Sequence, residues 1–363
     1  MYRIHFRQQE QSGLTLFPML RPGLTQADFS SGNATVVLQQ LWQQGQHHYF
    51  TGTGGCRLHY SSWQPAQATA ALVLIPGRIE AGHKYAEFIA DALHSGYQVF
   101  VLDHRGQGAS ERLLADPQRG YVKDFSDYVA DLQLFIEKII PGCCSLPLLA
   151  VAHSMGGAIL AAYLQQQRSN PVQAAIFSSP MWGIHTSPIP AGIAPAVANF
   201  MRWLNRLCSK QPWYVPGQGP YQHKAFKGND LSHCAERYQW FRDLYQQYPE
   251  YQLGGVSWHW LAEALAACQK LQSGPVPAMP CLLLQGAEDT VVDNRQQLLL
   301  WQHWRLQQPL PPLPDAVTIQ SARHELLTET DGVRSQWFRA VNRFLSEFLD
   351  IQAQAPQKPD QRG

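Results

Sequence analysis

At 363 residues the chain is long enough for one large domain or two small ones and can bury a sizeable core. Its 28 Lys and Arg against 27 Asp and Glu leave a net charge of +1, which removes any global argument for a nucleic-acid partner. The seven cysteines include no C-x-x-C pair, and two are adjacent at Cys143 and Cys144. That pattern fits neither a disulfide framework nor a zinc cluster, and it suits a reducing compartment.

Residues 1–45 are polar and Gln-rich and read as an N-terminal extension with one helix near 34–42. They lack the unbroken apolar run of a signal peptide. No later run approaches the roughly 20 apolar residues of a membrane span, so any membrane contact is expected to be peripheral. Next, 49–51 and 57–63 flank Gly52-Thr53-Gly54-Gly55 and read as a hairpin. Short runs of Val, Ile, Leu and Ala follow at 71–75, 98–103, 146–152, 174–178, 282–284 and 317–319. Continuous apolar runs of this length suit parallel strands covered on both faces. Between them, 83–94, 126–140 and 155–166 carry helical patterns. In 331–349, Val333, Trp337, Val341, Phe344, Leu345 and Phe348 share one helix face. The alternation predicts a doubly wound α/β fold. It breaks at 181–278, a stretch without a convincing parallel strand and rich in Trp and Tyr, which reads as an insertion lying on the sheet. The polar tail, 351–363, reads as disordered.

The segment Ala152-His153-Ser154-Met155-Gly156-Gly157 follows a strand and opens a helix. A nucleophile elbow needs this context, because a serine on so sharp a turn demands small residues two before and two after it. The usual G-x-S-x-G is here A-x-S-x-G. A serine hydroxyl needs a base to take its proton. His324, just past the last strand, is where an imidazole would be delivered over the strand ends, whereas His153 is expected to pack or bond locally. The acid that orients the base should follow the preceding strand, where Glu288, Asp289 and Asp293 compete. Asp289 is preferred. Glu288 reads as solvent-facing and Asp293 as the cap of a helix starting near Arg295. The order Ser154, Asp289, His324 is that of α/β-hydrolases. Two N–H donors for an oxyanion are assigned to Met155 and, through its main chain, to Arg78 in the Pro76-Gly77-Arg78 turn. The Gly-rich loop 103–110 has neither a phosphate-loop nor a dinucleotide pattern and reads as support beneath the site. No cluster shows metal-ligand spacing, and this chemistry needs neither metal nor organic cofactor.

Together, loops 76–80 and 103–110, segments 152–157 and 285–289, and His324 resemble the serine-hydrolase group that contains monoacylglycerol lipases. Within that group, Ile75-Pro76-Gly77-Arg78-Ile79-Glu80, Gly254-Gly255-Val256-Ser257-Trp258-His259-Trp260 and Val291-Val292-Asp293-Asn294 resemble bacterial lysophospholipases, as do 102–108 and 152–157. The Ala two before the serine also occurs there. The resemblance runs from about residue 45 to 350. It implies an α/β-hydrolase core at 46–180 and 279–350, with helices on both faces of a mostly parallel sheet and a helical cap at 181–278. It also implies hydrolysis of the single acyl ester of a lysophospholipid, with acyl transfer to another lipid as an accompanying reaction, in the cytoplasm or peripherally at the inner membrane. A monoacylglycerol lipase or general carboxylesterase is the alternative. A catalytically dead fold that binds lipid is a third reading, which the intact Ser/Asp/His set argues against. The cap carries eight Lys or Arg against five Asp or Glu, a balance that suits an anionic head group. Its segment 200–207 has apolar residues at helical spacing. It reads first as a helix with that face inward and second as one lying in a membrane interface.

Overall fold

The computed structural model of the chain describes residues 16–167, 169–307 and 313–354, with side chains described to residue 347. The apolar runs, which can tolerate water on neither face, form the centre of one eight-stranded sheet. β1 (Gln46–Thr51) and β2 (Arg57–Trp63) are the expected hairpin. β3 (Ala70–Ile75), β4 (Tyr97–Leu102), β5 (Leu148–His153), β6 (Val172–Ser178), β7 (Cys281–Gly286) and β8 (Val317–Ile319) follow. The spatial order is β1-β2-β4-β3-β5-β6-β7-β8. β2 runs antiparallel to both of its neighbours, and every other pair is parallel. The helices are α1 (Gln26–Ser30), α2 (Asn33–Gln44), α3 (Ala86–His94), α4 (Phe125–Leu134), α5 (Met155–Gln166), α6 (Ala194–Cys208), α7 (Ala235–Gln247), α8 (Trp258–Gln272), α9 (Asn294–Gln307) and α10 (Asp331–Gln354). The helix expected over 126–140 loosens after Leu134 into a π turn and then a 3₁₀ turn.

Alternate residues of β3 to β7 feed two separate cores, as the period of two requires. Val73, Ile75, Ala150, Ala152 and Leu283 pack on one face with α4, α5 and α9. Leu72, Leu74, Val151, Ile176 and Leu284 pack on the other with α3 and α10. On α10, Val333, Trp337, Val341, Phe344 and Leu345 are buried as the spacing predicts; the side chain of Phe348 lies outside those described.

Two expectations change at the ends of the chain. From residue 16 on, the N-terminal stretch is integral to the second core, which includes Phe17, Leu20 and Trp42. Leu20 exchanges two hydrogen bonds of 2.8 Å with the side chain of Asn342. Its apolar residues are too sparse among polar ones to register as a pattern, yet Phe17, Leu20, Ala34, Leu38 and Trp42 are buried. At the other end α10 continues to Gln354, so the predicted disorder does not begin at 351; residues 1–15 and 355–363 lie outside the described residues.

Segment 181–278 lies between β6 and β7 and contributes α6, α7 and α8 but no strand of the sheet. Helix α8 faces two ways. Trp260, Ala264 and Cys268 join the first core, whereas Trp258, Ala262 and Leu265 pack on Ala194 and Ala198 of α6. The inward reading of 200–207 is therefore overturned for its largest residues. Phe200, Trp203 and Leu207 are 57%, 55% and 66% exposed. The helix docks through small alanines, and that turns the bulky side chains to the outside.

Candidate active site

β5 ends at His153 and α5 begins at Met155, so Ser154 alone makes the turn, with φ 50° and ψ −119°. A positive φ on a residue with a Cβ is strained and survives only where its surroundings hold it. Here they do. The Ser154 N–H donates to Ser178 O at 3.2 Å, and its carbonyl accepts from the Met181 N–H at 2.8 Å and the Gly157 N–H at 2.9 Å. Gly156 passes so close to β3 that a Cβ would collide with the carbonyl oxygens of Ile75 and Pro76. Ala152 is buried in the sheet between Ile75 and Phe177, so the methyl that replaces the usual glycine is accommodated.

His324 and Asp289 arrive from the loops after β8 and β7. His324 Nε2 lies 3.0 Å from Ser154 Oγ, and Nδ1 lies 2.8 Å from Asp289 Oδ2. An ionised carboxylate only accepts, so Nδ1 carries the proton and Nε2 is left as the acceptor facing the serine hydroxyl. The other Asp289 oxygen accepts from the Val291 and Val292 N–H groups at 2.8 and 3.2 Å. Burial alone would raise the Asp289 carboxyl, but the His324 charge and these hydrogen bonds outweigh it and hold the acid below its ordinary value. Burial likewise works to lower His324, and the charge and hydrogen bond of Asp289 reverse it, leaving the imidazole above its ordinary value. The competing carboxylates have other work. Asp293 caps α9 by accepting from the Arg295 N–H at 2.9 Å. Glu288 is half exposed and pairs with His233 at 3.0 Å. His153 bonds locally to Ser178 O at 3.1 Å, and burial pushes it down to about 4.

The turn after β3 lies against the serine. A Cβ on Gly77 would stand 3.0 Å from the Ser154 Cβ. Loop 103–110 braces this turn, with Gln107 Nε2 donating to Gly77 O at 2.7 Å and to Glu80 O at 2.9 Å, and His104 Nε2 bonded to Pro76 O at 3.0 Å. Among the described residues, neither the Arg78 N–H nor the Met155 N–H has a partner, so both donors remain free.

Sequence reasoning missed a buried charge network behind this turn. Glu80 accepts from the Gly77 N–H and, at 2.5 Å, from the Tyr85 hydroxyl. Lys84 Nζ bridges Glu80 at 2.7 Å and Glu325 at 2.6 Å. Burial would raise Glu80, but the Lys84 charge outweighs it and keeps the acid ionised. The network thus ties the turn carrying Arg78 to the residue after His324. Its one trace in the sequence is the i,i+4 spacing of Glu80 and Lys84.

A serine on a strained strand–helix turn, with its histidine after the last strand and its aspartate after the strand before, is the arrangement of the α/β-hydrolase fold. The chain belongs to the family described as Serine aminopeptidase, S33 (Hydrolase_4), whose model matches residues 66–331. It is similar to Lysophospholipase L2 of Escherichia coli (strain K12), with 33% identity over 316 residues covering 85% of this chain and 90% of that protein. Probable lysophospholipase L2 of Haemophilus influenzae is 32% identical over 86% of this chain and 96% of its own length. Among solved structures, a soluble variant of monoglyceride lipase from Saccharomyces cerevisiae shares the fold, with a TM-score of 0.64 at 21% identity over 84% of this chain and 95% of that one.

Proposed function

We propose that the chain is a serine esterase that hydrolyses the acyl ester of lysophospholipids. Ser154 is the nucleophile, His324 the base and Asp289 the orienting acid, and segment 181–278 serves as the cap over a core formed by 46–180 and 279–350. The observation that carries this reading is the continuous chain of hydrogen bonds from Ser154 Oγ through His324 to Asp289. Ser154 Oγ attacks the ester carbonyl carbon while His324 Nε2 takes its proton. The carbonyl oxygen, now an oxyanion, receives the N–H groups of Met155 and Arg78. Collapse breaks the bond to the glycerol oxygen, which takes the proton from His324 and leaves an acyl-Ser154 ester. Water, deprotonated by His324, then frees the fatty acid. A hydroxyl of a second lipid in place of that water gives acyl transfer.

The names of the 33% and 32% identical relatives support the lysophospholipid, rather than the monoacylglycerol, as substrate. An aminopeptidase would need a carboxylate held ready for a substrate amine. Of the five cap acids, Glu263 is taken by Arg202 and Glu236 by Gln26, and Asp230, Asp243 and Glu250 are exposed. Among the described residues no helix is long and apolar enough to cross a membrane. Peripheral contact through the outward face of α6 is part of the proposal. A fluorophosphonate probe should label the wild type and not Ser154→Ala, and a lipid panel should place lysophosphatidylethanolamine above the matching monoacylglycerol. Labelling that persists in a folded Ser154→Ala variant would remove Ser154 from its role.

A further inference from the structure

Arg78 lies on the turn against Ser154, and its side chain is tied down without a counter-charge. Nη1 donates to Gly254 O at 3.1 Å, and the guanidinium stands 5.3 Å from the centre of the Trp260 ring. Among the described residues no carboxylate pairs with it. The structural arginines contrast with this, since Arg237, Arg334 and Arg105 each hold two carboxylates. Burial pushes the Arg78 guanidinium down to about 10, with only Tyr128 pulling the other way. Among the described residues none of its five N–H donors has an anionic partner, and the residue keeps part of its surface open to solvent, from which an anionic ligand can reach it.

Its surroundings are built to keep it there. Gly120 leaves the room, since a Cβ would stand 3.0 Å from Nη1. The Gly254–Trp260 motif, singled out in the sequence and unused by the triad, closes the other side. The Gly254 N–H donates to Gln118 O at 2.6 Å, the Gly120 N–H donates to Gly255 O at 3.0 Å, and Trp260 supplies the ring. Arg112 and Arg242 also lack a carboxylate pair, but neither stands on the turn that touches Ser154.

We infer that the Arg78 side chain binds the phosphate of the substrate head group and sets the preference for lysophospholipids over monoacylglycerols. The inference rests on the esterase reading and deepens it. In the proposed mechanism the backbone N–H of Arg78 receives the ester oxygen, and its own side chain leaves from the same Cα. In a lysophospholipid the phosphorus lies a few bonds beyond the ester oxygen, where a monoacylglycerol has only a hydroxyl. A planar fork matches two phosphate oxygens at once, which a lysine cannot do.

The test is the ratio of kcat/KM for lysophosphatidylethanolamine to that for the monoacylglycerol of the same chain, in one neutral detergent. It is measured for wild type, Arg78→Gln, Arg78→Lys and the exposed-cation control Arg206→Gln, with fluorophosphonate labelling as the check that each site is intact. The ratio should exceed one in the wild type and in Arg206→Gln. It should fall roughly 10- to 150-fold in Arg78→Gln, with Arg78→Lys in between. Glycerophosphoethanolamine, which has the phosphate and no acyl chain, should inhibit the wild type and lose that effect in Arg78→Gln. If Arg78→Gln does not label, Arg78→Lys carries the comparison. A wild-type ratio at or below one overturns both the substrate reading and this inference. A ratio above one that survives in the labelled Arg78 variants overturns the inference alone.

Discussion

His324 is held between burial, which disfavours its charged form, and Asp289, which favours it, and the carboxylate wins. In its proposed role as the base His324 works in the neutral form, so this has a sign. kcat/KM should fall as pH drops through an apparent pKa above the ordinary imidazole value of about 6.5, and not below it. A pH profile of kcat/KM checks this; an acid limb well under 6.5 would mean that another group limits the rate. Asp289→Asn removes the charge and leaves the wrong tautomer facing the serine, so the rate should fall by up to about 10⁴. Asp293→Asn and Glu288→Gln touch only a helix cap and a half-exposed pair, and should stay within about tenfold. That Asp289, and not Glu288 or Asp293, stands beside His324 was legible in the sequence because strand, Gly turn and helix cap each have a recognisable signature. The Glu80–Lys84–Glu325 network was not, since its third member comes from 241 residues away, a separation that no local pattern spans.

At the scale of elements, the elbow depends on β3, β5 and α5 approaching closely. Gly156→Ala would set a methyl against the Ile75 and Pro76 carbonyl oxygens, which are backbone atoms that cannot swing aside. We expect a loss of about 1–3 kcal/mol, read as a lower Tm, together with nearly complete loss of activity, because relief of the clash must part the Arg78 turn from Ser154. Strands were readable because a sheet covered on both faces asks for continuous apolar runs, a demand written residue by residue. The outward face of α6 was not readable, since spacing defines an apolar stripe without saying what covers it. Here Ala194 and Ala198 take the inner contact with Trp258, Ala262 and Leu265, and Phe200, Trp203 and Leu207 are left outside. Phe200→Asp with Trp203→Asp should therefore change stability by no more than about 0.5 kcal/mol each. The same pair should clearly weaken sedimentation with phospholipid vesicles. Unchanged vesicle binding would leave that face without the membrane role proposed for it.

For the whole molecule, charge divides into what the fold consumes and what remains. The cationic excess of 181–278 first reads as a basic cap waiting for a phosphate. Two of its members are already committed, Arg237 to Glu87 and Asp331, and Arg202 to Glu263. Arg206, Lys210, Lys224 and Lys227 are exposed. Exposed cations act through water, and screening shortens their reach from about 10 Å at 0.1 M salt to about 3 Å at 1 M. A part-buried guanidinium such as that of Arg78 is screened less. Salt therefore separates two origins of head-group preference. If the surface cations recruit the phosphate, the ratio of kcat/KM for lysophosphatidylethanolamine over monoacylglycerol should collapse toward one between about 0.05 and 1 M salt. If Arg78 makes the contact from beneath the cap, the ratio should stay within about threefold over that range. Attachment to anionic vesicles, aided by Lys210 beside the apolar face of α6, should weaken over the same range. We expect the second pattern, with preference retained and vesicle attachment lost. The substrate is presented in neutral detergent for the kinetics and in anionic vesicles for the binding, so that the two effects are read apart. Loss of both together would place the discrimination on the surface of the molecule and not beside its serine.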